Sequence, residues 1–197
     1  MAVVTWDGSS STDYGTAGNW DTGSVPTSSD DVIIANVSND CVLDGSRSVK
    51  SFVVETGGDF NGNAETLTVV GENSSGFAVD IDGDIVGTNT MITITTPTTT
   101  DIDLAATSGN VRDLTINHAS CVAQMKSDVS LSRNLTITAG QLTTGTSGFG
   151  FSNLTVAGAL TNNGTLTLNG STVNLGSTST EAGDFQGSGT FNLDTST

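Results

Sequence analysis

A short apolar–polar–apolar triplet returns along this chain. It reads Leu114-Thr115-Ile116, Leu135-Thr136-Ile137, Leu154-Thr155-Val156, Val173-Asn174-Leu175 and Phe191-Asn192-Leu193. The steps between first residues are 21, 19, 19 and 18. Ile92-Thr93-Ile94 lies 22 residues before Leu114, and Phe52-Val53-Val54 and Leu67-Thr68-Val69 are looser versions. Side chains alternate across a strand, so each triplet buries its outer pair and shows its middle residue to solvent. A second series, Val129-Ser130-Leu131, Phe149-Gly150-Phe151 and Leu166-Thr167-Leu168, falls between the first. Leu142 and Leu160, each soon after a glycine (Gly140, Gly158), mark a third position.

Three short strands within about 19 residues predict the rung of a parallel β-solenoid. Glycine and asparagine supply the left-handed backbone that its corners need. About seven to eight rungs, stacked at about 4.8 Å, make a rod roughly 35–40 Å long. Inward ladders of Leu, Ile, Val and Phe form the core, and Thr, Ser and Asn face outward. A β-sandwich of antiparallel hairpins also has short strands and frequent turns. The solenoid is favoured because a sandwich has no reason to repeat its text. Residues 119–127 carry a trace of helical character and are read as another rung segment.

The N-terminal segment differs. Trp6-Asp7-Gly8, Gly18-Asn19-Trp20, Gly23-Ser24-Val25-Pro26 and Asp30-Asp31-Val32-Ile33-Ile34 do not follow the triplet. Two tryptophans can cover much apolar area at once. Trp6, Trp20 and Pro26 are therefore expected to pack as a cap over the first rung. The division is residues 1–34 for the cap and first strand, and 35–197 for the solenoid.

Charge narrows the function. Acidic residues number 21 against 5 basic, a net charge of −16. Such a field repels nucleic acid and anionic membrane surfaces and suits a salt-rich medium. No run approaches the ~18 apolar residues of a membrane helix. The start carries no secretory signal, so a chain that natively begins here is not exported by that route. Residues 134–180 contain no Asp, Glu, Lys or Arg. An uncharged β surface is an aggregation hazard unless something covers it, which predicts a close-packed homo-oligomer. Cys41 and Cys121 have no CxxC partner and read as small buried hydrophobes.

The pattern W-x-G, G-N-W, G-x-V-P and D-x-V-x-I is carried by Trp6, Gly8, Gly18, Asn19, Trp20, Gly23, Val25, Pro26, Asp30 or Asp31, Val32 and Ile34. It resembles the start of many bacterial and phage β-helix surface proteins. Leu160-Thr161-Asn162-Asn163-Gly164-Thr165-Leu166-Thr167-Leu168 resembles the rungs of autotransporter passengers and haemagglutinin-type repeats. The resemblance implies a right-handed parallel β-helix at a surface. Phage particle proteins share this fold, need no signal because lysis releases them, and are commonly trimeric.

Candidate chemistry is sparse. Asp80-Ile81-Asp82-Gly83-Asp84 is read as three carboxylates on one strand face, with Asp101 and Asp103 a similar pair. Calcium takes oxygen ligands in such clusters, but the EF-hand spacing fails, and a solvated outer face is the plainer reading. A polysaccharide-cleaving β-helix would need two carboxyls roughly 5–9.5 Å apart. Arg112 is the one basic residue that the sequence places near these acids. His118 stands alone, with no nucleophile motif around it. The expectation is a non-enzymatic virion component without a cofactor, at most binding calcium weakly. It would be a homotrimer that decorates or cements a capsid, or belongs to the tail or fibre apparatus, with major capsid or tail proteins as partners. A bacterial surface adhesin or matrix filament subunit is the alternative, and a polysaccharide-degrading enzyme a lesser one.

Overall fold

The β-branched triplets form strands because each buries two side chains while its backbone bonds to the turns before and after. The computed structural model describes residues 2–145, 152–176 and 185–193. Val3–Trp6 (β1) opens the stack, and a single 3-10 turn, Ala17–Asn19, follows it. The chain then coils. Asp31–Ile34 (β2), Cys41–Val42 (β3) and Arg47–Val49 (β4) make the first turn. Ser51–Val54 (β5), Asp59–Asn61 (β6) and Thr66–Val69 (β7) make the second. Phe77–Ile81 (β8), Asp84–Ile85 (β9) and Met91–Ile94 (β10) make the third. Thr99–Asp103 (β11) begins the fourth, which ends in the first half of Asp113–Met125 (β12). The fifth joins the second half of β12, Val129–Leu131 (β13) and the first half of Leu135–Thr143 (β14). The second half of β14, Leu154–Val156 (β15) and Leu160–Asn162 (β16) make the sixth. Thr165–Leu168 (β17), Val173–Leu175 (β18) and Phe185–Gln186 (β19) make the seventh, and Thr190–Leu193 (β20) follows.

Every strand pairing is parallel, which is the solenoid and rules out the sandwich. Six turns carry three named strands each; in the fourth an isolated bridge from Ser108 to Asp84 stands for the third strand. The rod thus has about six full turns, in rough agreement with the expected seven to eight rungs. β12 and β14 each run round a corner from the third face to the first, which joins those faces into one 14-stranded sheet. The second face consists of two separate three-stranded sheets, β3-β6-β9 and β13-β15-β18. Residues 119–125 belong to β12, as another rung segment.

The core is a set of columns. On the first face Val32, Phe52, Val79, Ile102 and Met125 stack in register, all buried. On the third face Leu67, Ile92, Leu114, Leu135 and Leu160 do the same. Phe52 and Phe60 meet edge to face inside the second turn, with ring centres 4.7 Å apart. The neighbouring third-face column ends in a polar residue. Asn162 follows Ile137, is buried, and donates from Nδ2 to the Thr190 carbonyl while its Oδ1 accepts from Gly164 N. Cys41 and Cys121 are buried free thiols.

The repeat length departs from the expected 19. Leu67 pairs with Ile92 and Leu135 with Leu160, 25 residues on in each case, and other steps range from 19 to 28. The triplets that suggested 19 do not form one column. Leu114 and Leu135 continue to Leu160, whereas Leu154 and Val173 lie on the second face and Phe191 on the first. Phe52 and Leu67 likewise sit on different faces. All three faces use the same triplet, so successive faces imitate successive rungs. Phe149 and Phe151, from the second series, lie outside the described residues.

Two glycines show what a corner demands. Gly140, where β14 rounds its corner, has φ +87°, a left-handed conformation costly for any residue with a Cβ. A Cβ on Gly83 would collide with the carbonyl oxygens of Glu55 and Gly58 in the turn before. Core and surface positions should respond very differently to truncation. Leu114→Ala is expected to lower unfolding stability by about 2–5 kcal/mol, and Thr115→Ala, its outward neighbour, by about 0.5 kcal/mol or less. Urea denaturation followed by circular dichroism measures both; equal losses would contradict this assignment of faces.

Candidate functional site

The N-terminal cap is built on tryptophan and asparagine. Trp6 and Trp20 are buried and meet edge to face at 5.1 Å, and Tyr14 meets Trp20 at 4.7 Å. Each indole N–H is satisfied: Trp6 Nε1 donates to the Asn39 carbonyl and Trp20 Nε1 to the Tyr14 carbonyl, both at 2.8 Å. Pro26 is buried too. The segment supplies a stacked layer as well as a lid, since β1 pairs in register with β2. Its outer edge is closed at Thr5: Thr5 N donates to Asp21 Oδ1, and Thr5 O accepts from Asp21 N. Asn19, fully buried, holds the loop. Its Oδ1 accepts from Ser10 N and Ser11 N, while Nδ2 donates to the Asp13 carbonyl and Ser11 Oγ. Arg47 lies over the Tyr14 ring at 5.5 Å and pairs with Asp44. Burial pushes the Tyr14 hydroxyl far above its usual range, and neither it nor Arg47 Nε has a hydrogen-bond partner among the described residues. The Trp and Gly-Asn-Trp signals marked this cluster in the sequence, and Tyr14 falls inside the same segment; Asn39 and Arg47 carried no such signal.

The predicted carboxylates separate. Asp80 faces outward on β8, Asp82 and Gly83 form the corner, and Asp84 opens β9 on the next face. Alternation fails here because the chain turns at Gly83, so Asp80, Asp82 and Asp84 do not share a face. Asp80 lies beside Asp103 of the following turn. Burial, then Asp82 and Asp103, push its carboxyl up to about 6. Asp103 accepts from Ser127 Oγ and Ala105 N. Asp101 pairs with Lys126 at 3.1 Å, whereas Arg112, the cation expected near these acids, pairs with Asp113. Sequence adjacency missed Lys126 because its neighbour lies one turn away.

A second acid column escaped the sequence reading. Asp59 and Asp84 pair in register on the second face, with Asp40 preceding Cys41, the partner of Phe60. Burial first, then Asp40 and Asp84, raise the Asp59 carboxyl. The signal was there at steps of 19 and 25, within the rung spacing. Among the described residues, no three His, Cys, Asp or Glu side chains are gathered to hold a metal ion. His118 is half-buried at the β12 corner, and its Nδ1 accepts from Ser120 N. Beside it a hollow of about 470 Å³ is lined by Cys121, Gln141, Asn163 and Thr165 among others. A second hollow, about 490 Å³, lies along the corner between the third and first faces, among Lys50, Glu72, Asn73 and Pro97.

The longest outward feature is uncharged. On the third face Thr68, Thr93, Thr115, Thr136 and Thr161 stand in one unbroken register column, between Ser48 and Gln186. None of the five hydroxyls has a hydrogen-bond partner within the described residues, unlike Thr95, which donates to the Val69 carbonyl. The column is therefore a line of methyls and free hydroxyls about 4.8 Å apart.

A family model described as "Domain of unknown function (DUF8693)" matches residues 5–112, from the cap to the loop before β12. No curated protein and no solved structure matches the chain.

Two measurements follow from the cap and the acids. Asn19→Ala would take the partner from two part-buried N–H groups and a carbonyl, and should cost about 1–3 kcal/mol in urea unfolding. Asp80 has a folded pKa raised above its unfolded value, so the native state holds the extra proton between about pH 4 and 6. Its contribution is fully present below pH 4 and is lost as pH rises through about 6. Asp80→Asn should therefore gain on the order of 1 kcal/mol over wild type at pH 7, after screening. That gain should vanish toward pH 4; a variant that is less stable at pH 7 would reverse the sign.

Proposed function

Starting from a chain that belongs to this family, to which no activity is assigned, we propose that it is a non-enzymatic structural block of a phage particle, assembled as a homo-oligomer, most simply a trimer. The observation that carries the reading is the pairing of a continuous apolar solenoid core with an outer surface that turns from acidic to neutral. Of the 21 acidic residues, 18 precede residue 134, as do all five basic ones. Beyond them the described outward positions are uncharged, mostly Thr, Asn, Gln, Ser and Gly with Phe191 exposed among them, and can approach another protein without burying a charge. A rod of this kind offers area and shape for contact rather than a reacting centre. The carboxylates fit this role as solvated, partly neutralised columns, because Lys126 and Ser127 already occupy Asp101 and Asp103. Capsid decoration or a tail or fibre position both suit a short block, with capsid or tail proteins of the same particle as neighbours.

The reading is tested on particles purified from lysed cultures of the source. Mass spectrometry should recover this chain in constant ratio to the major structural proteins through density-gradient banding. Its recovery only in the cell envelope would support a surface adhesin instead. Release of reducing sugar from host polysaccharide, abolished by Asp80→Asn with Asp103→Asn, would overturn the non-enzymatic assignment.

A further inference from the structure

We infer that the threonine ladder of the third face is the surface through which copies of this chain meet one another; this rests on the homo-oligomer reading above. Five free hydroxyls in one register column span roughly 19 Å along the rod. Each hydroxyl both donates and accepts, so a column of them is complementary to an identical column. Carboxylate columns lack this property: at neutral pH they only accept, and they repel their own image. The charge distribution selects the same surface. A chain of net charge −16 resists self-association wherever acids face each other. Along the ladder's own strands, outward neighbours from β7 to β16 include one carboxylate, Asp113, which Arg112 pairs at 3.2 Å. The flanking outward residues Thr66, Met91, Asn134 and Thr138 are neutral. Threonine also presents little side-chain entropy to lose, so its ordering in a contact is cheap beside that of lysine or glutamate.

The test uses the full chain. Light scattering on the wild type is expected to give a small multiple of the 19.9 kDa chain mass. Thr115→Asp with Thr136→Asp should bring it to the mass of one chain while the β-sheet circular dichroism signal stays. Ser130→Asp, outward on the second face, should leave the oligomer intact. If the double variant keeps the wild-type mass, the ladder is not the contact, although the homo-oligomer reading stands. A wild type that is a single chain at every concentration overturns both. Should the double variant misfold, Thr115→Cys decides, because the middle of the ladder faces its own copy whichever way the columns run: oxidation should link chains in pairs through the new thiol, since the native thiols are buried. Absence of that link overturns the inference.

Discussion

The whole structure depends on one requirement: each strand must hand its backbone hydrogen bonds to the turn above and the turn below. A β-strand one rung long has no stability of its own. Here every named pairing is parallel and joins strands of successive turns, so no strand is satisfied within its own turn. The inward columns follow from this. Once Leu67 is in register with Ile92, and Ile92 with Leu114, the core is a stack of like side chains filled one layer at a time. Such an architecture behaves nearly one-dimensionally, with stability made of turn and interface contributions. A defect in one layer is felt mainly by its neighbours. Corners such as Gly83 and Gly140, where neighbouring backbone or a left-handed angle leaves no room for substitution, are its brittle points.

Much of the fold was legible in the alternation of Leu-Thr-Ile and its relatives, because a two-residue period names both the strand and its buried face. The repeat length was not. Leu135, Leu154 and Leu160 look alike in sequence, yet Leu154 stacks on Val129 and Leu160 on Leu135. Corners and loops vary between 19 and 28 residues per turn, and no local signal says which triplet faces which. The cap was legible through Trp6, Trp20 and the Gly-Asn-Trp run, but Asn19 organises it through partners six to nine residues away that only the folded loop brings to it. The acids show the same limit. Asp80 and Asp82 are neighbours in sequence and part at a corner, while Asp59 and Asp84 are 25 apart and stack.

The polar surface is divided as the core is not. Among the described residues, acids and their few cations lie on the first five turns, where Asp31 holds Lys50, Asp101 holds Lys126 and Asp113 holds Arg112. Later turns replace charge with side chains that hydrogen-bond along the rod. Gln141 Nε2 donates to Thr167 Oγ1, and Asn169 Nδ2 to Thr143 Oγ1, from one turn to the next. These bonds reinforce the stacking direction without adding charge. The family match stops at residue 112, close to where the second face breaks between its two sheets. The matched part is therefore the capped, acidic portion of the rod, and the neutral portion is a continuation of the same coil.

Asp21 gives the rod a polarity. Because its backbone N–H and carboxylate already occupy both hydrogen-bonding groups of Thr5, an arriving strand finds no partner at that residue on the outer side of β1. Fibrils of the cross-β kind grow by adding strands to exposed edges. One aspartate, its side chain and backbone placed against one threonine, therefore interrupts the template at this end of a protein made almost wholly of stackable strands.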